Sequence, residues 1–395
     1  MKNSKTLACV FAFLMSLTSM VSCAFLPVTS SPNSVLENEA PWEYLIEGVE
    51  TVKNVILLVG DGMGPEQIKA GEIYKGERLE LQKFPYKVDV DTDSLDGTTD
   101  SAAAATAMAT GQLTNNGLVG IKTDFVTFED KELTTIVDIA VAMGKRTGIV
   151  TTEGLFGATP MGFSAHSISR NSAEELIESA AKTSNVNFFA SATLASTYHS
   201  ILTSNGYHKV SNVKDISESQ DEKIYGAYNI VARAPSMSAE GMVAFDYLVT
   251  EALEYLSKDE DGFFLMAEGA HIDHGGHNND MQYMLEELLA FDDAVKAVLA
   301  WAKDKKDTVV IVTADHETGC LMLGPNLTKD NMFETKYDKP ANYVWGSGGH
   351  SSTEVHCYVN GANIDFSKYS LGTKTTIKNT DIFEIVKDLM ENNII

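Results

Sequence analysis

Two six-residue runs without a charged side chain, Asn54–Val59 (NVILLV) and Thr308–Thr313 (TVVIVT), limit the folds open to this chain more than any other feature. A strand that is apolar at every position is buried on both faces, as happens inside a parallel sheet covered by helices on each side. The rest of the pattern agrees. Helices are predicted over Leu133–Met143 (stopped by Gly144), from a Ser172 cap to about Lys182, and over Met242–Ser257, Asn279–Lys303 and Asp381–Met390. Further strands are predicted over Thr147–Thr152, Phe263–Met266 and Glu354–Val359. Strands alternating with helices give an α/β fold with a central, mostly parallel sheet and helices on both faces.

In such a sheet ligands collect at the carboxyl ends of the strands. Three of the predicted strand ends carry metal-binding residue types: Asp61, Glu268 and the pair Asp315-His316. Fold and chemistry therefore point to one edge.

The densest segment is Glu268–His277 (EGAHIDHGGH), in which Asp273 and His277 can offer oxygen and nitrogen to one ion. Six of the nine histidines fall between His271 and His356, so the imidazoles cluster rather than scatter. His350, after the glycines of GSGGH, is a further ligand candidate. Asp100-Ser101 precedes the small-residue, helix-favouring run AAAATAMATG, which sets Ser101 at a helix N-terminus. Exposed N–H groups there favour an anion, so a serine so placed suits attack on a phosphoryl group. A plain N-cap role for Asp100 or Ser101 is the commoner alternative. No chain neighbour of Ser101 is a histidine or lysine that would take its proton, which leaves a bound cation to lower the hydroxyl pKa. Arg170 closes the stretch ATPMGFSAHSISR and can grip phosphate oxygens with both prongs of its guanidinium.

Taken in order, VGDGMG, DSAAAATAMATG, ATP with Thr159, Arg170, EGAHIDHGGH, TADHETG and GSGGH resemble the alkaline phosphatase family over essentially the whole of 52–395. The resemblance implies a metal-dependent phosphomonoester hydrolase that passes through a phosphoserine at Ser101, with Arg170 binding phosphate. It implies two Zn2+ and one Mg2+. Asp273, His277 and His350 match ligands of the first zinc, and Asp61, Asp315 and His316 those of the second. Asp61 bridges to magnesium, whose other protein ligands are Thr159 and Glu268. Homodimers are common in the family. The chain departs from the pattern at Gly157, where relatives carry Asp or His behind the magnesium site; with His274 beside Asp273, this implies a third site that holds its ion more loosely or takes another ion. The superfamily alternatives are a phosphodiesterase or phosphonate hydrolase, and outside it a non-catalytic metal- or phosphate-binding protein.

Charge bears on the partners. A formal net charge of -25 excludes a nucleic-acid-binding surface and fits small phosphate monoesters only if cations reverse the field locally. Residues 1–23 read as an export signal, with Lys2 and Lys5 before the apolar run Leu7–Val21. Met20-Val21-Ser22-Cys23 makes Cys23 a candidate lipid anchor, and ordinary cleavage near Ala24 is the alternative. The expected location is the bacterial periplasm, or the membrane as a lipoprotein. Residues 24–51 read as a linker, 52–395 as the catalytic domain, and 321–343 as an insertion near the cleft. Cys320 and Cys357 can form a disulfide in an exported protein; free thiols in apolar strands are the preferred reading.

Overall fold

The structure is a computed structural model, and it describes residues 46, 51–124, 126–127, 129–192, 194–232, 242–333, 342–361 and 376–392. The export signal, Cys23 and all of the linker except Ile46 and Thr51 lie outside the described residues. Ten strands form the main sheet: β1 Asn54–Gly60, β2 Tyr86–Asp91, β3 Arg146–Thr151, β4 Phe188–Ser191, β5 His208–Lys209, β6 Ile224–Ala227, β7 Phe263–Gly269, β8 Thr308–Thr313, β9 Val355–Asn360 and β10 Thr376–Lys378. Their spatial order is β10-β2-β9-β8-β1-β7-β3-β4-β6-β5. Every pairing is parallel except those of β9 with β8 and with β2, so β9 alone runs against the rest. The expected fold class is the one observed.

Strand β1 lies between β7 and β8, and all three are buried along their whole length. The register sets the chemistry. Val59 of β1 stands opposite Glu268 of β7 on one side and Thr313 of β8 on the other, while Glu268 also stands opposite Thr151 of β3. The carboxyl ends of four strands therefore finish at one level. The chain leaves β1 for neighbours on both sides, the crevice geometry in which α/β sheets bind ligands.

Several boundaries differ from expectation for identifiable reasons. Strand β7 runs on through Glu268 to Gly269, so Glu268 is part of the rigid sheet and not of a following loop. His271–His277 is helical. Met242–Ala244 is a short strand paired with Asn229–Val231, and the helix expected from Met242 begins at Phe245. The long helix is Met281–Ala302: Asn279 adopts φ 53°, which no helix tolerates, and Asp280 Oδ1 accepts the Gln282 and Tyr283 N–H groups at 3.0 Å each. Strands β2, β4, β5, β6 and β10 were not expected. Strand β2 (YKVDVD) is only partly buried and carries charges on one face, which hides it among polar segments. The ends of segment 321–343 meet, Leu321–Leu323 pairing antiparallel with Tyr343–Trp345.

Both described cysteines are free. Cys357 is buried in β9 as expected, but Cys320 occupies a left-handed turn (φ 48°) and not a strand. Among the described residues no helix is long and apolar enough to cross a membrane.

Candidate active site

Ser101 opens the helix Ser101–Thr110, every residue of which is buried. Asp100 is its cap, accepting the Ala103 N–H on Oδ1 at 2.9 Å, so the Ser101 hydroxyl is left free for other work. The same carboxylate accepts from Gly117 N–H at 3.0 Å and from Arg170 Nη1 at 3.0 Å on its Oδ2. Arg170 is thus tied next to the serine by a charge-assisted bond, with its side chain one-third exposed at the mouth.

The fold supplies what the neighbouring sequence lacks. His316, fully buried just past β8, brings its Nε2 to 3.1 Å from Ser101 Oγ. Burial holds this imidazole down to about 4, so it is neutral. The Thr318 hydroxyl donates to Asp273 Oδ1 at 2.5 Å and lies 3.2 Å from His316 Nδ1. With its hydrogen committed to the carboxylate, Thr318 accepts from His316 Nδ1–H, which leaves the Nε2 lone pair facing the serine. That lone pair is also 3.1 Å from Asp315 Oδ2 and 3.6 Å from Asp61 Oδ1. Asp315 is aimed by Gly62 N–H and His316 N–H, which both bond its other oxygen at 3.1 and 2.9 Å. Gly62 itself (φ 72°) lies so close to the helix His271–His277 that a Cβ there would stand 2.7 Å from Asp273 Cα.

A second group lies alongside. His277 Nε2 is 3.2 Å and His350 Nε2 3.5 Å from the Asp273 carboxylate, and the two nitrogens are 3.2 Å apart. Each ring is oriented from behind: His277 Nδ1 donates to Gly348 O at 2.7 Å, His350 Nδ1 to Thr99 O at 2.9 Å. The hydrogen bond to Asp273 raises His277 to about 9. Burial works against the charge on Asp273, but the His277 hydrogen bond and the nearby His316 hold it well below the usual carboxylate range. The rings of His316 and His350 stack at 3.5 Å, joining the two groups. Ligand atoms of Asp273, His277 and His350 converge, and so do those of Asp61, Asp273 and His316; Asp273 therefore borders both clusters, where the sequence assigned it to one.

Behind them Glu268 is fully buried, bonded through Oε2 by the Thr151 hydroxyl at 2.5 Å. The Thr159 hydroxyl lies beside it without completing a hydrogen bond. Burial and, next, the charge of Glu153 push Glu268 up. Burial with Asp315 does the same to Asp61, and burial with Asp273 lifts Asp315 to about 6.

Among the described residues, four buried oxygens here have no hydrogen-bond partner: Asp61 Oδ1, Thr159 Oγ1, Glu268 Oε1 and Asp315 Oδ2. Each such atom costs about 1–3 kcal/mol unless something satisfies it. Crowded carboxylates and bare oxygens beside the histidines fit bound cations, and the residues present suit them.

The alkaline phosphatase family model matches residues 52–222 and 194–336. The chain belongs to the alkaline phosphatase family. Alkaline phosphatase 3 of Bacillus subtilis (strain 168) is 31% identical over 296 residues, 70% of this chain and 63% of that relative. The chain thus spans a little under two thirds of that relative's length. Alkaline phosphatase of Escherichia coli (strain K12) is 28% identical over 407 residues, 85% of each chain. Alkaline phosphatase from the Antarctic bacterium TAB5 superimposes with a TM-score of 0.72 at 30% identity, covering 87% of this chain and 99% of that one. A histidine-to-aspartate variant of the TAB5 enzyme, solved with Mg bound in the M3 site, gives 0.71 at 28% identity over the same shares. The chain thus shares the family's fold and carries candidate metal-ligand groups at the strand ends.

Three details in this alkaline phosphatase relative go beyond what the sequence could place. His271 turns away, its Nδ1 3.9 Å from Glu287, so one of the three clustered imidazoles stands outside the site. His274 is exposed and packs on His271 at 4.9 Å. At Gly157 the missing side chain does not leave a gap, because a Cβ there would overlap Glu153 Oε1. Thr318, Thr151 and Glu153 were not singled out from sequence. Thr318 is legible in hindsight as the third residue of HET after Asp315, whereas nothing local marks Glu153.

Proposed function

We propose that the chain hydrolyses small phosphate monoesters through a phosphoserine at Ser101, releasing inorganic phosphate. The observation that carries this reading is the Ser101 hydroxyl at a helix N-terminus, 3.1 Å from His316 Nε2 and beside an arginine tied to Asp100. Asp273, His277 and His350 would hold one zinc, and Asp61, Asp315 and His316 a second, as mixed nitrogen and oxygen donors suit that ion. Asp61, Thr159 and Glu268 offer only oxygen, which suits magnesium. When bound, these ions lower the pKa of the serine hydroxyl and of water and neutralise charge on the phosphoryl group.

Arg170 binds two phosphoryl oxygens and turns phosphorus towards Ser101. Ser101 Oγ gives up its proton and bonds to phosphorus as the ester P–O bond breaks in line, and the leaving alkoxide departs as the alcohol. Water then attacks the phosphoserine, the Oγ–P bond breaks, and Ser101 regains a proton. The helix N-terminus keeps N–H groups on the side where negative charge gathers. The same reading takes residues 1–23 as an export signal and the working form as a homodimer outside the cytoplasm. The mass of the mature N-terminus distinguishes a lipidated Cys23 from cleavage near Ala24.

The test is hydrolysis of p-nitrophenyl phosphate at mildly alkaline pH, before and after chelation, with Zn2+ and Mg2+ then restored. Loss on chelation and return with both ions is expected. A fully metallated sample that cleaves the aryl diester and not the monoester would overturn the reading in favour of a phosphodiesterase.

A further inference from the structure

Gly157 caps the short helix Ala158–Gly162 that carries Thr159, with φ -54° and ψ 153°. Any L-residue adopts that backbone, so glycine is not required there for conformation. The space beside it is taken instead. A Cβ at 157 would overlap Glu153 Oε1 and stand 2.6 Å from Glu153 Cδ. The Glu153 side chain has folded back over the position where the family pattern puts an acid or a histidine.

Its surroundings give that carboxylate no ordinary partner. Among the described residues no hydrogen bond reaches its oxygens; only its main chain is engaged, with Thr151 Oγ1 at 3.2 Å and with Ala192 N–H at 2.6 Å. Arg170, the nearest cation, is hydrogen-bonded to Asp100. Two acids, Asp273 and Asp315, oppose its charge, and Glu153 is in turn the foremost charge acting on Glu268 and also acts on Asp61. Burial, against the pull of Arg170 and with the push of Asp273 and Asp315, lifts Glu153 to about 7. A half-buried carboxylate folded over Gly157, its charge bearing on Glu268 and Asp61, each with one oxygen that lacks a partner among the described residues, is explained by a cation they share.

We propose that Glu153 supplies a carboxylate to the third cation site, alongside Asp61, Thr159 and Glu268, in place of a side chain at 157. This rests on the reading of the site given above. The third site is then not short of ligand groups: the acid comes from four residues upstream, and Gly157 is small because Glu153 lies over it. Charge balance agrees, since a divalent ion offsets the repulsion that Glu153 adds to Glu268 and Asp61 and that the metal-free site leaves uncompensated.

The experiment measures magnesium and zinc per chain, and Mg2+ affinity by calorimetry on chelated, zinc-restored protein, for wild type, Glu153→Gln, Gly157→Ala and the double variant Glu153→Ala/Gly157→Asp. Glu153→Gln should weaken Mg2+ at least about tenfold while zinc stays. Gly157→Ala should do the same by displacing Glu153, and the double variant should recover binding because space and charge exchange positions. Melting temperature adds a sign that a packing role would not give: Glu153→Gln should raise it in metal-free protein, where repulsion is relieved, and lower it with saturating Mg2+. Wild-type Mg2+ affinity in both Glu153→Gln and Gly157→Ala, with monoesterase activity present, would overturn the proposal alone. Wild type that takes up zinc but no third ion and has no monoesterase activity would overturn the site reading with it.

Discussion

Asp100 holds Arg170 with the same carboxylate that caps the helix opened by Ser101, Oδ2 bonding Nη1 at 3.0 Å while Oδ1 takes the Ala103 N–H at 2.9 Å. The proposed phosphate-binding arm and the proposed nucleophile are thereby referenced to one side chain. Arg170 makes none of the contacts that orient the histidines. Arg170→Ala should therefore weaken inhibition by inorganic phosphate and leave the metal content alone. A charge-assisted hydrogen bond is worth about 1.5–3 kcal/mol, roughly ten- to a hundredfold in the inhibition constant. Loss of zinc in step with loss of phosphate binding would show the arginine to be structural.

Because Asp100 is the cap, the Ser101 hydroxyl can be removed without opening the helix. Ser101→Ala should keep its melting temperature and metal content yet lose monoester turnover by about a thousandfold or more, as expected when a nucleophile is deleted. Wild-type protein quenched in acid during turnover should carry one phosphoryl group on the peptide containing Ser101. Turnover that survives in the variant, or an unlabelled peptide in the wild type, would sink the covalent route.

What the sequence made legible follows from where local pattern and tertiary setting agree. NVILLV and TVVIVT are buried on both faces, so their composition alone bounds them, and the ligand types at their ends follow at once. Strands β2 and β10 lie at or near an edge where one face is open; the alternating charges of β2 read as loop, and the three residues of β10 are too few to show a period. Met242–Ala244 is extended only because Asn229–Val231 lies beside it, a contact no local window contains. The same divide runs through the site. Asp61, Glu268, Asp273, His277, Asp315, His316 and His350 sit in recognisable motifs. Thr318 and Glu153 gain their roles from groups far along the chain, and from Gly157 the sequence could show a missing side chain but not what fills the space.

Cys357 links stability to alkaline pH. Its thiol, buried in β9, is pushed from 9.0 up to about 12 by burial alone. A folded pKa above the unfolded one gives stability that is intact below the unfolded value and is lost as pH rises through the folded value, here between about 9 and about 12. The contribution at stake is at most about 4 kcal/mol. Melting temperature should fall over that window, and Cys357→Ala should flatten the fall even if its small cavity lowers stability by about 1 kcal/mol at neutral pH. Equal slopes in the two proteins would assign the alkaline loss to other groups. In the native protein below pH 9 a thiol reagent should modify Cys320 and spare Cys357.

Thr318 joins the two metal clusters through one hydroxyl, donating to Asp273 Oδ1 at 2.5 Å and accepting from His316 Nδ1 at 3.2 Å. His316 is fully buried, so without Thr318 Oγ1 its Nδ1–H has no acceptor and the tautomer that presents Nε2 to Ser101 is no longer fixed. Thr318→Val keeps the shape and removes the bond. Losing such an outer partner of a ligating histidine typically weakens metal binding about 10- to 100-fold. Zinc competition against a chelator should show that loss in Thr318→Val and near-normal affinity in Thr318→Ser, which keeps the hydroxyl. Valine and serine variants that hold zinc equally well would mean that packing around His316, rather than this bond, orients the imidazole.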